Sequence, residues 1–353
     1  MDRREFLKTA AIAALAAGAT AARSAGQEGE RAQARSLPVR KLPRWGETLP
    51  ILGFGSSAFG GYGLHGFSPL SSADQVRAVR YAYERGIRYF DTAHFYQSEP
   101  VIGEALQDVR DRVYLATKTH AVTAQTARRH VEGSLGRLRT DAIDCVKLHV
   151  PNEYDAAMRV LDELEKMRDQ GKLRRVGMSN HVHFEVAYKL IDTGRLDEVL
   201  LARCYFPKGF EELLSPRNQE LREMAIARAH ELDINLIGMK ALGASIFGHH
   251  AGELVPEHDR QAAKRLPAAA IRWAFSDPRF HIYVVGVSMF SDIDDNVVTC
   301  SADLTLTDED RALLAQFSAK AWGAKRITDY PEPYQHADDP VYYEPGRRES
   351  WTS

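Results

Sequence analysis

From about residue 49 to residue 299 the chain alternates short apolar runs with longer stretches whose apolar residues recur at helical spacing. This alternation constrains the fold more than any other feature. The runs that read as strands are Leu49–Gly55, Ile87–Asp91, Val113–Lys118, Ala142–His149, Arg174–Ser179, Glu198–Tyr205, Ile234–Met239 and His281–Gly286. Helices are expected over Ser72–Arg85, Glu99–Asp108, Thr123–Leu138, Tyr154–Gln170, His183–Thr193, Asn218–Leu232, Ala262–Ser276 and Asp292–Thr299. Thr123 is placed to cap one of these helices and Gly171 to close another. Strict alternation implies a parallel sheet with right-handed crossovers. Eight such units, with no block of one element type, predict a single α/β domain over 35–321, a (β/α)8 barrel. A doubly wound open sheet is the alternative. It places G-x-G-x-x-G after its first strand, whereas GFGSSAFGG here leads into no helix by that fingerprint.

Composition removes several functional classes. With 353 residues, 44% hydrophobic and 27% charged, the chain has the make-up of a globular protein with a large core. A formal charge of -2 does not suit a general nucleic-acid binder. The three cysteines, Cys145, Cys204 and Cys300, are far apart and form no C-x-x-C pair. A cysteine-held metal cluster and a disulfide framework are both unexpected, and no metal site is expected.

The first residues, MDRREFLKTAAIAALAAGATAARSAG, resemble a twin-arginine export signal. Arg3 and Arg4 precede Phe6, Leu7 and Lys8, and an alanine-rich run follows from Thr9 to Ala22. The run is short and weakly apolar beside the ~20 strongly apolar residues that a membrane span needs. Segment 1–34 is read as the signal, cleaved after Ser24 or Ala34, with an amphipathic helix as the alternative. That reading implies export to the periplasm or beyond, with the twin-arginine translocation machinery as a partner. At the other end, residues 322–353 are rich in proline and aromatics and are expected to be irregular. This tail either caps the barrel mouth or wraps the outside. Residues 243–260 read as a second loop at the mouth, where His249 and His250 are taken as solvated rather than metal-binding.

In a barrel of this kind chemistry gathers at the C-terminal ends of the strands. Asp91 ends IRYFD, Lys118 ends VYLATK, His149 ends DCVKLH, and Tyr96 lies in the loop after Asp91. Taken singly, each has a bland reading: a turn cap, rim residues, a packed loop aromatic. Together on consecutive strands they make chemical sense. A phenol with an ordinary pKa near 10 gives up a proton more easily beside an ammonium, and a carboxylate keeps that ammonium charged and aimed. An imidazole N–H can orient a carbonyl. The set suits protonation of a carbonyl oxygen as hydride arrives at its carbon, and the hydride requires a cofactor.

From about Leu37 to Asp310 the chain resembles the aldo-keto reductase superfamily. The matching pieces are FDTAHFYQSE, LATKT, DCVKLH, GKLRRVGMSNH and VVGVSMFSDIDDN. The resemblance implies NADP or NAD bound in extended form on a barrel without a Rossmann domain. It implies Tyr96 as general acid, Lys118 and Asp91 as its tuning pair, and His149 as carbonyl orienter. It implies Ser179 and Asn180 as hydrogen-bond partners of the nicotinamide carboxamide, with Gly286, Ser288 and Asn296 also in the cofactor site. Tyr205 is either a stacking partner of the nicotinamide or a core aromatic near the rim. Lys240 either meets a phosphate or is a rim lysine. The chain departs from the family pattern at Ala202, where glutamine is common, and at Asp292, where a cation often meets the 2′-phosphate. A carboxylate at 292 either repels that phosphate, which would favour NAD, or caps the helix that follows. The functional expectation is an oxidoreductase acting on a small carbonyl or alcohol. A non-catalytic nucleotide-sensing or partner-binding barrel is the alternative, and a metal-dependent hydrolase ranks below both for want of ligands.

Overall fold

Inside each barrel strand, alternate residues part company: one set fills the barrel and the other meets the surrounding helices. The computed structural model describes residues 36–59, 68–206, 216–243, 245–248 and 251–322. The segment 1–34, His249, His250 and the tail beyond Trp322 lie outside the described residues. A hairpin comes first, with β1 (Val39–Lys41) antiparallel to β2 (Thr48–Pro50). Then come β3 (Leu52–Gly55), β4 (Tyr89–Asp91), β5 (Tyr114–Thr119), β6 (Ile143–His149), β7 (Leu173–Asn180), β8 (Glu198–Ala202), β9 (Asn235–Met239) and β10 (Ile282–Gly286). These eight are parallel and pair in sequence order, and β10 returns to β3 to close the barrel.

The helices are α1 (Ser72–Glu84), α2 (Glu99–Leu106), α3 (Ala124–Arg137), α4 (Tyr154–Asp169), α5 (Phe184–Asp192), α6 (Pro216–Glu231), α7 (Ala251–Leu254), α8 (Arg260–Phe275), α9 (Phe290–Ser301) and α10 (Asp308–Trp322). The expected caps form at Thr123, which accepts from Thr126 N, and the turn after α4 places Gly171 at φ +76°. Outward-facing Phe54, Phe90, Leu115, Val146, Val176, Val199, Leu236 and Val285 join helix residues in one large core.

Three expectations are corrected. The first strand, read as Leu49–Gly55, is two elements: Thr48–Pro50 serves the hairpin and Leu52–Gly55 the barrel. Pro50 has no N–H to continue a ladder, and the chain bends at Ile51. The strand read as Glu198–Tyr205 ends at Ala202, and the next residues leave as a loop. Helix α10 was not expected. Its signal was Thr307-Asp308-Glu309-Asp310, where Asp310 N donates to Thr307 Oγ1 at 3.1 Å and Thr307 N donates back to Asp310 Oδ2 at 3.1 Å. Arg272 of α8 donates to both Asp310 oxygens, at 2.7 and 2.5 Å, while Leu314, Phe317 and Ala321 pack on Phe247, Leu266 and Ala270.

The inside of the barrel is layered. At its N-terminal end the hairpin contributes Leu42 and Trp45. Trp45 stacks on Tyr114 at 5.1 Å between centroids, and Tyr114 stacks on Tyr89 at 4.9 Å. Above the aromatics lies a buried polar layer. Lys147 Nζ donates to Tyr89 Oη at 2.9 Å and Asp91 Oδ2 at 2.9 Å, and pairs with Glu198 Oε1 at 2.8 Å. Tyr89 and Tyr114 both donate to Glu198, at 2.7 and 3.1 Å. Gly177 makes the room, since a Cβ there would lie 2.7 Å from the Glu198 carbonyl oxygen. Burial alone would neutralise Lys147, but the Asp91 and Glu198 carboxylates hold its pKa well above the usual lysine value.

Removing one partner of such a buried network strands the other charge, which costs about 3–5 kcal/mol. Lys147→Met is therefore expected to lose about that much unfolding free energy by urea titration. A loss below about 1 kcal/mol would contradict the network's structural role.

Candidate active site

The polar residues singled out from the sequence converge at the C-terminal mouth because the two-residue strand period stacks them above the buried layer. Tyr89 and Asp91 share one face of β4; Tyr114, Ala116 and Lys118 one face of β5; Cys145, Lys147 and His149 one face of β6. Register places Lys118 beside Lys147 and His149 beside Ser179.

Asp91 is almost fully buried, at 4% exposure, yet lies between two ammonium groups. Its Oδ2 accepts from Lys147, and its Oδ1 forms a short ion pair with Lys118. Burial would raise the pKa of this carboxyl, but Lys118 and Lys147 together pull it below the usual range. Lys118 also donates to the Thr92 carbonyl at 2.6 Å. Burial lowers its own pKa, against the pull of Asp91, and Lys147 adds to the lowering. Lys118 Nζ lies 5.1 Å from the centroid of the Tyr96 ring. The Tyr96 ring stands edge-on to His149, 6.1 Å between centroids at 80°. Phe95 stacks on His149 at 5.2 Å and so lines one side of this group. The loop that carries Tyr96 is held by its own backbone. His94 N donates to the Lys118 carbonyl at 3.1 Å and Tyr96 N to the Ala93 carbonyl at 3.0 Å, and Gln97 takes a left-handed φ of +61°.

Asp91, Tyr96, Lys118 and His149 are thus brought together. The remaining residues divide. The Ser179 hydroxyl is buried and has no hydrogen-bond partner among the described residues. A buried hydroxyl in that state suits a hydrogen bond to a bound group. Asn180 next to it braces its own loop. Its Oδ1 accepts from Val182 N and His183 N at 2.8 and 3.1 Å, and its Nδ2 donates to the His183 carbonyl at 2.8 Å. Gly286, at the end of β10, is exposed, and a Cβ there would meet nothing within 4 Å. Ser288 follows in the loop after β10, and Asn296 is buried in α9 at 6% exposure. Lys240 follows β9 with a left-handed φ of +63°.

Tyr205 sits in the loop after β8, edge-on to Trp273 at 5.7 Å and to Phe247 at 6.3 Å. The structure packs it, half-buried, against the cluster under α8 and α10. Asp292 is the third residue of α9, not its N-cap. Its Oδ2 accepts from Ser288 N at 2.7 Å and Met289 N at 3.1 Å, so the carboxylate closes the helix's own amino end.

Sequence reasoning missed Lys147 and Glu198. The signal for Lys147 was available, since a lysine two residues before His149 on a strand shares its inward face. It also missed a histidine cluster behind Tyr96. His94 Nε2 lies 2.7 Å from His120 Nδ1, and the His94 and His130 rings stack at 3.7 Å. Burial, then the neighbouring histidines, lower the pKa of His94 to about 2 and that of His130 to about 4, so both rings are neutral at neutral pH.

Residues 51–319 match the Aldo/keto reductase family. L-galactose dehydrogenase of Arabidopsis thaliana is 25% identical over 315 residues, which is 83% of this chain and 97% of that protein. The holo form of an aldo-keto reductase from Bacillus halodurans superposes with a TM-score of 0.64 at 18% identity, covering 85% of this chain and all of that one. An aldo-keto reductase from Klebsiella pneumoniae in complex with NADPH gives a TM-score of 0.62 at 20% identity, covering 80% and 95%. At these identities the solved structures establish the common barrel.

Proposed function

Since this chain belongs to the aldo/keto reductase family, we infer that it is an NAD(P)-dependent oxidoreductase interconverting a small aldehyde or ketone with its alcohol, with the Tyr96 hydroxyl as proton donor. The observation that carries this reading is the grip on Lys118. Its ammonium is fixed by Asp91 and the Thr92 carbonyl while it faces the Tyr96 ring. A fixed positive charge there stabilises phenolate over phenol and eases proton loss toward a carbonyl oxygen at the mouth. His149, on the other side of the phenol, supplies an imidazole N–H to orient that oxygen. In the direction of oxidation the same phenolate takes the proton back.

The nicotinamide, when bound, supplies or accepts the hydride. Ser179 is placed to bond its carboxamide, and the one Nδ2 hydrogen that Asn180 has not given to its loop could join it. Gly286, Ser288 and Asn296 line the side where the rest of the dinucleotide would lie, and Lys240 stands by for a phosphate. The amides of Ser288 and Met289 already serve Asp292, so the start of α9 offers little to a 2′-phosphate. This supports use of NAD. The kinship with a hexose dehydrogenase makes polyhydroxylated carbonyls the first substrates to screen.

Tyr96→Phe is expected to lower kcat/KM for carbonyl reduction by about 10²–10⁴-fold, with nucleotide affinity unchanged. Activity retained within about tenfold would contradict the proton-donor role. Wild-type protein that binds nucleotide but reduces no carbonyl would favour the non-catalytic nucleotide-binding barrel, which the departure at Ala202 and the self-braced Asn180 support.

Export along the twin-arginine route is proposed on Arg3, Arg4 and the alanine-rich run alone. Free nicotinamide cofactors are scarce outside the cytoplasm, so an exported enzyme of this kind would carry its cofactor out tightly bound. Denaturing protein purified from the exported fraction is expected to release NAD. Protein free of nucleotide would contradict the carried-cofactor account, and release of NADP alone would contradict the reading of Asp292.

A further inference from the structure

We propose that His94, His120 and His130 form a binding site for one divalent transition cation of the zinc class, behind the Tyr96 loop. The three rings come from three elements: the loop after β4, the loop after β5, and α3. They are 26 and 10 residues apart and form no spaced motif, so only the fold brings them together. One ring nitrogen from each lies within 4.8 Å of the other two. Zinc bound by imidazoles at ~2.0–2.1 Å in tetrahedral geometry separates its nitrogens by ~3.4 Å. His94 and His130 are adjacent but stacked face to face, at 3.7 Å between centroids, so one ring has to rotate to aim its in-plane lone pair at a shared ion. The His94–His120 pair, at 2.7 Å, has only to open slightly.

The surroundings suit a cation of this kind. His130 Nδ1 is tied to Thr119 Oγ1 at 2.8 Å, which fixes the ring and leaves Nε2 as the nitrogen for an ion. Ligating histidines are oriented by such a second hydrogen bond. Three imidazoles and no carboxylate form a donor set that favours zinc, cobalt, nickel or copper over magnesium or calcium. Binding requires the lone pairs of both His94 Nε2 and His120 Nδ1, so the hydrogen now shared between them moves to the other nitrogen of its ring. The consequence is mechanical. His94 is two residues from Tyr96, and a cation there ties the Tyr96 loop to α3 and to the end of β5, the strand that carries Lys118. The site stands independently of the oxidoreductase reading.

The test uses the full chain, with any affinity tag removed and after dialysis against a chelator, titrated with cobalt(II) and then zinc(II). One cobalt per chain is expected, with the visible absorption of a low-coordinate site, displaced by one zinc. His94→Ala, His120→Ala and His130→Ala should each weaken binding at least about tenfold. A variant replacing His249 and His250 should bind as before. No stoichiometric binding by the wild-type chain would overturn the proposal, even if the variants failed to fold. So would binding that survives all three alanine variants.

Discussion

The ammonium of Lys147, held between Asp91 and Glu198 inside the barrel, is the interaction on which the rest depends. A barrel interior with two carboxylates and two lysines is stable only if every charge has its counter-charge at contact. Here opposite signs alternate along the contact chain Lys118–Asp91–Lys147–Glu198, and the phenols of Tyr89 and Tyr114 bond the Glu198 oxygens. Asp91 links this layer to the mouth. One of its oxygens belongs to the scaffold through Lys147; the other grips Lys118 beneath Tyr96. The group proposed to tune the phenol is therefore built into the core, and its position is set by packing.

Much of the fold was legible because each βα unit carries its own signal. The strands are short apolar runs, the helices have helical spacing, and the caps at Thr123 and Gly171 stand in sequence where the structure uses them. What was misread lay where local pattern and tertiary role diverge. Thr48–Pro50 looks like the start of the first barrel strand but pairs backward with Val39–Lys41. Tyr205 continues an apolar run by composition, but the strand has already ended at Ala202. Helix α10 lies beyond the last βα unit, so the repeating pattern does not announce it, although Thr307 and Asp310 mark its start.

The site was legible to the extent that its residues lie at strand ends on a common face. Asp91, Tyr96, Lys118 and His149 could be gathered from sequence because a parallel barrel brings the ends of successive strands to one mouth. Interactions across the barrel, such as Lys147 with Glu198, leave no local trace in the chain. The histidine cluster was invisible for the same reason, since His94 and His120 are 26 residues apart. Asp292 shows a subtler limit. The sequence leaves open whether its carboxylate faces a phosphate or the helix; the structure shows it accepting from the amides of Ser288 and Met289.

The most direct measurement is a crystal structure of the protein with oxidised nicotinamide cofactor and an unreactive carbonyl analogue. The account predicts the analogue's carbonyl oxygen within hydrogen-bond reach of both the Tyr96 hydroxyl and a His149 ring nitrogen, with the nicotinamide ring beside Ser179. A carbonyl oxygen bound away from Tyr96, or a nicotinamide seated on another face of the barrel, would contradict it.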